Sequence, residues 1–120
     1  MRKIGIILFG AFLLFAGISH FLNPDFFLIL MPESWPAREW LNWISGAAEI
    51  VLALLWFFPS TRKQAGLVIV LMLIAFWVLH GIHLFYPPKP EWPLWAYIIR
   101  FVLQAPMIWM VWTLRKPAQK

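Results

Sequence analysis

The sequence predicts an all-α fold: a membrane four-helix bundle with a short interfacial helix between spans one and two. Three observations carry that expectation. The 120 residues are 62% hydrophobic, 18% aromatic and only 12% charged, which leaves too little polar surface for a soluble domain. Four apolar stretches are each long enough to cross a hydrocarbon core of about 30 Å. The basic residues sit in pairs at alternate ends of these stretches rather than along one soluble face. A single integral membrane domain spanning 1–120 is expected, with no room for a second.

Span one is expected over about 4–22. It stops at Asn23-Pro24, where Asn suits a helix cap and Pro the first residue of a new helix. Asp25 to Met31 then reads as a short apolar helix at the outer interface. Pro32 and Pro36 bracket Glu33-Ser34-Trp35 and stiffen the loop. Span two is expected over about 40–58 and ends in the turn Pro59-Ser60-Thr61-Arg62-Lys63. Span three is expected over about 64–86. Pro87, Pro88, Pro90 and Pro93 make a rigid connection to span four, expected over about 94–114, where Pro106 removes a backbone donor and predicts a kink. Trp35, Trp40, Trp43, Trp92 and Trp95 mark one predicted boundary, and Trp56, Trp109 and Trp112 the other, as aromatic belts do.

The net charge of +5 would be compatible with nucleic acid, but its distribution is not. Seven of the ten Lys and Arg, namely Arg2, Lys3, Arg62, Lys63, Arg115, Lys116 and Lys120, flank one side of the predicted spans. Arg38 and Lys89 flank the other, and Arg100 is inside. The positive-inside rule then makes both termini cytoplasmic in a multi-pass protein of a bacterial-type inner membrane. The opening MRKIGIILFG has the look of a signal peptide, but Gly17-Ile18-Ser19 is a weak cleavage site and apolar residues resume at Phe21, so it is read as a retained span. The absence of cysteine removes disulfides, thiol catalysis and thiolate metal ligation.

Glu49 and Arg100 are the acid and the guanidinium set inside the apolar stretches, where a charge costs roughly 2.5–3.5 kcal/mol on insertion scales. At 1.5 Å per residue, Glu49 lies about 13 Å below Trp40 and Arg100 about 9 Å below Leu94, so the two share a depth and an ion pair between them is expected. His80 and His83 lie about 9 and 4.5 Å below Tyr86, and His20 about 4.5 Å below Asn23. Gln104 is one turn from Arg100. His20, Glu49, His80, His83, Arg100 and Gln104 therefore form one candidate layer, either a ligand-binding site or a buried polar network. A small-residue stripe, Asn42, Ser45, Gly46, Glu49 and Ala53, together with Gly10 and Gly17, predicts close approach of spans one and two.

Three readings of this layer compete. A structural network would fix helix register and bind nothing. A pocket with aromatic walls, including Phe76 and Trp77, would suit a flat lipid-soluble ligand such as a quinone. A metal set drawn from His20, Glu49, His80 and His83 is the weakest, since HxxH spacing alone is unspecific. The other halves of the spans are apolar, which argues against a proton path across the membrane. No Ser-His-Asp order, phosphate loop or carboxylate pair is present, so no catalytic residue is assigned and the chain is not expected to be an enzyme by itself.

Gly17-Ile-Ser-His20-Phe-Leu-Asn23-Pro24, Ser45-Gly46-Ala-Ala-Glu49, Pro59-Ser-Thr-Arg62 and Arg100-Phe-Val-Leu-Gln104 occur in this order over most of the chain. In these motifs it resembles the DoxX-like family of small four-span membrane proteins. Where that family has a Pro-Ala-Asn-like stretch near the end of span three, this chain reads Trp77-Val-Leu-His80-Gly-Ile-His83. The resemblance implies a four-helix bundle beside membrane redox systems. The expected function is accordingly an accessory component of a quinone-linked membrane redox complex with an outward-facing polar pocket, an oxidoreductase subunit at most. The expected partners are the lipid bilayer and redox-complex proteins, with no nucleic acid. The alternative is a non-catalytic assembly or scaffold protein whose Glu49 and Arg100 are structural.

Overall fold

A computed structural model describes residues 1–118; the Lys120 flank counted above lies outside them. The described chain is helical, in five pieces: α1 (Arg2–Leu22), α2 (Pro24–Leu28), α3 (Arg38–Phe57), α4 (Pro59–Phe85) and α5 (Leu94–Leu114). All but α2 are long and apolar enough to cross a membrane. Their outer faces carry Ile7, Leu8, Phe15, Val51, Leu54, Leu71, Val78, Ile99 and Val102, all exposed. So wide an apolar surface needs an apolar surrounding.

The long helices run up and down. Met1, the end of α5 and the α3–α4 junction share one end, here the terminal end; α2 and the α4–α5 connection share the other, the cap end. α1 packs along α3, α4 along α5, and α3 meets α4. Among the described residues the backbones of α1 and α4, and of α3 and α5, do not approach closely, and α1 meets α5 sparsely. The named contacts between α1 and α5 are at the terminal end. Arg2 donates to the carbonyls of Leu114, at 2.9 Å, and Lys116, and Gly5 faces Leu114. The bundle is thus two helix pairs, α1/α3 and α4/α5, joined through α3 and α4 and loosely closed on the α1–α5 side.

Lipid tails are as apolar as leucine, so in hydrocarbon such helices associate by close packing and hydrogen bonds rather than by the hydrophobic effect. Small residues supply the approach. A Cβ at Gly17 would lie 2.9 Å from the Gly46 carbonyl oxygen, and one at Gly46 would lie 2.6 Å from His20 Cβ. The expected stripe is therefore the α1–α3 seam. Below it a continuous core of Ile6, Phe9, Leu13, Leu52, Ala53, Trp56, Ala65, Ile69, Val70, Leu73 and Val111 fills the terminal half. Trp56 belongs to this core and not to an aromatic belt: it is fully buried, and its Nε1–H donates to Ile6 O at 2.9 Å.

The α3–α4 junction is tighter than the sequence suggests. α4 begins at Pro59 rather than near Gln64, because Pro at the first helical position loses no hydrogen bond and has its φ preset. Phe58 is the one residue between the helices. The last carbonyls of α3 are taken by side chains of α4: Thr61 Oγ1–H donates to Leu55 O at 2.6 Å, and Arg62 donates to Trp56 O at 2.8 Å and Phe57 O at 2.9 Å. At the cap end, Arg38 donates to the carbonyls of Leu28 and Met31 and ties α2 to the start of α3. Tyr97 accepts from Lys89 N and donates to Lys89 O, fixing the proline-rich connection. α5 continues through Pro106 without a break.

Candidate functional site

The polar layer expected from the sequence falls at the cap half, where the helix pairs diverge around a cavity of about 310 Å³. Its wall takes His20, Phe12, Leu13 and Ala16 from α1, Ser45 and Glu49 from α3, Phe76, Leu79 and His80 from α4, and Arg100, Leu103, Gln104 and Met107 from α5. Phe26 and Phe27 of α2 and the following Leu30 and Met31 close the cap end. Most of this wall is apolar.

Glu49 and Arg100 do not form the expected ion pair. Glu49 Oε2 lies 3.5 Å from His20 Nε2, and Arg100 Nη2 lies 3.0 Å from His80 Nε2. The cause is the pairing of the helices. α3 lies against α1 and α5 against α4, so each charge meets a histidine of its own pair, while α3 and α5 are diagonal and their backbones do not approach closely.

On the α1/α3 side a third residue sets the proton positions. Asn42, wholly buried, donates from Nδ2 to His20 O at 2.9 Å, which turns its Oδ1 towards the imidazole. His20 Nδ1–H must then be the donor of the 2.7 Å bond to Asn42 Oδ1. Nε2 is left facing Glu49 Oε2 at ion-pairing distance, and Oε2 is buried without a hydrogen-bond partner. Phe27 stacks on the His20 ring at 3.7 Å between centroids and 16° between planes. Asn42 sits one turn before Gly46 and two before Glu49, so helical spacing from Glu49 is the sequence signal that marks it as more than a packing residue.

On the α4/α5 side the logic runs from the guanidinium. Arginine has donors and no acceptor, so Arg100 fixes His80 Nε2 as the accepting lone pair and leaves the imidazole neutral with its proton on Nδ1. The side-chain amide of Gln104 lies 3.4 Å from His80 Nδ1, with the amide nitrogen placed towards it. Two donors cannot face each other, and amide O and N have the same shape, so the chemistry puts Gln104 Oε1 there as acceptor. That orientation also gives a partner to Oε1, otherwise buried without one.

Two residues expected nearby are elsewhere. His83 is buried against Tyr97, with ring centroids 6.4 Å apart, and does not line the cavity. Three residues fall about 60° short of a full turn, enough to rotate it away from the opening that His80 faces. Trp77 packs on Phe101 at 5.6 Å, while Phe76 takes the wall. The metal set His20, Glu49, His80 and His83 is not assembled: among the described residues no three His, Asp or Glu side chains converge. Asn42, Phe26, Phe27 and Met31 are the site residues absent from the layer expected from the sequence.

The fold and the cavity together define a class: an all-helical protein with four helices long and apolar enough to span a membrane and a largely apolar cavity, reached by a few polar groups, between two helix pairs. Within that class, the chain belongs to the family described as Domain of unknown function (DUF8561), whose model matches residues 9–115. This corrects the resemblance to DoxX-like proteins. The motifs behind it are short, and several do general work in a small bundle: Gly46 lets two helices touch, and Pro59 starts a helix. No curated protein and no solved structure matches the chain.

Proposed function

We propose that this chain is a membrane-embedded binding protein that holds a lipid-soluble molecule by its polar head between the α1/α3 and α4/α5 pairs. One observation carries the reading: a single apolar cavity receives two separate polar groups, His20–Glu49 from one pair and Arg100–His80 from the other. Its size is at the lower end of the roughly 300–1,000 Å³ that holds small molecules. The α1–α5 side, sparsely packed above Gly5 and Leu114, supports entry from the hydrocarbon rather than from water. The apolar core beneath supports a blind pocket rather than a conduit. Binding at such a site needs no chemistry from the chain itself, and a quinone is one flat-headed molecule that would fit it.

The terminal end, with Arg2, Lys3, Arg62, Lys63, Arg115 and Lys116, is proposed as the cytoplasmic side of a cell membrane, which puts the pocket in the outward half.

The test is to purify the protein in a neutral detergent, extract it with solvent and identify co-purifying molecules by mass spectrometry. A stoichiometric lipid-soluble compound is expected. Glu49→Gln is expected to lose it while the protein still elutes as a folded species. A scaffold role is the second reading, favoured by the Asn42–His20 clasp beside the Gly17–Gly46 contact. It requires the opposite result: nothing bound to the wild type, and a lower melting temperature in Glu49→Gln.

A further inference from the structure

We infer that the head group taken by this pocket is anionic: an acidic amphiphile with one hydrocarbon tail, its carboxylate or phosphate on Arg100 and its tail leaving between α1 and α5. The inference rests on the binding reading above and adds the ligand's charge and shape. Among the described residues the ion pairs are His20–Glu49 and Lys89–Glu91, and no carboxylate lies within pairing distance of Arg100. Its one side-chain partner is His80 Nε2, an accepting lone pair on a neutral ring. Glu49 is turned to the other helix pair. Its Oε2 lies 3.5 Å from His20 Nε2, and Asn42 holds the histidine in place. Arg100 is therefore a guanidinium on the cavity wall without a carboxylate partner among the described residues.

A guanidinium has five N–H donors in a planar fork, and His80 takes one. Arg100 lines the cavity, and none of its nitrogens is buried without a partner, so donors not taken by His80 are accessible to a ligand. A fork of this kind matches the two oxygens of a carboxylate or phosphate, and such charge-assisted pairs are about twice as strong as neutral ones. A quinone carbonyl would accept one bond and leave the charge uncompensated. On the α1–α5 side the wall includes Phe9, Phe12, Leu13, Leu103 and Met107, hydrocarbon on both flanks. A cavity of about 310 Å³ holds a head and the first part of one chain, and the rest continues into the lipid.

The experiment uses the full chain in nanodiscs of neutral lipid. The probes are a radiolabelled long-chain fatty acid, its methyl ester, a lysophosphatidate of equal chain length and a short-tailed quinone. The acid or the lysophosphatidate is expected to bind about tenfold or more tightly than the ester, as a charge-assisted bond predicts. Arg100→Gln is expected to bring acid and ester to within about twofold, and Arg100→Lys to keep part of the preference. Tighter binding of the carboxylate names a free fatty acid as the source, and tighter binding of the phosphate a lysolipid. Equal binding of acid and ester by the wild type overturns the anionic assignment while the pocket stands, and needs no variant to fold. A quinone bound most tightly and unaffected by Arg100→Gln overturns it as well. Failure of every probe to bind the wild type removes the pocket reading and this inference with it.

Discussion

Asn42 shows how one neutral side chain can orient a histidine. By donating to His20 O and accepting from His20 Nδ1–H, it ties α1 to α3 twice and decides which imidazole nitrogen faces Glu49. Its amide is fully buried, so removing it leaves a donor and an acceptor of His20 without partners. Asn42→Leu, of similar volume, is expected to cost about 1–3 kcal/mol of stability for those stranded groups, read as a lower melting temperature in detergent. An unchanged melting temperature would show that His20 finds water instead. The charges Glu49 and Arg100 are legible in the sequence because ionisable residues in apolar runs stand out. Their partners are not, because depth along a helix axis says nothing about which neighbouring helix lies alongside.

At the level of the helices, the α1–α3 seam depends on glycine at positions 17 and 46, where backbone meets backbone. Gly46→Ala is expected to force the helices apart, at a cost of about 1–3 kcal/mol for overpacking, and to weaken ligand binding by shifting His20 from Glu49. Retained binding with lowered stability would separate packing from site geometry. The start of α3 offers a change of opposite sign. Ala37 caps that helix with φ 57°, a left-handed conformation that costs an L-residue roughly 1–2 kcal/mol. Ala37→Gly relieves this strain against an entropy cost of about 0.4–1 kcal/mol, so a net gain of about 0.5 kcal/mol and a slightly raised melting temperature are expected. The glycine stripe is legible in the sequence, as small residues recurring at helical spacing. The strain at Ala37 is not, since nothing in Pro36-Ala37-Arg38 marks a positive φ.

For the whole molecule, the arrangement into two helix pairs explains both the split polar groups and the loosely closed α1–α5 side. Orientation follows from charge and is directly testable, because the chain has no cysteine to complicate labelling. With single cysteines, Ser34→Cys is expected to react with an impermeant thiol reagent in intact cells and Ser60→Cys to react only after permeabilisation. The reverse pattern inverts the proposed topology. Span positions are readable from the sequence to within a few residues. The start of α4 is the largest miss, because Pro59 and the basic pair read as a turn when they open a helix.

Composition and hydrophobic run length suffice for an all-helical chain with four helices fit to cross a membrane, and for the costly residues Glu49 and Arg100 within them. Both follow from local chemistry, since every backbone polar group in hydrocarbon must be satisfied within the helix and every charge there is conspicuous. The packing of the helices settles which histidine each charge meets, that His83 turns away, that Trp56 is core, and that α2 caps the cavity with Phe27 on His20. Those outcomes depend on which helices lie adjacent and how they are rotated. Close packing around glycines and a few buried hydrogen bonds set that geometry, and neither can be read from the order of residues along the chain.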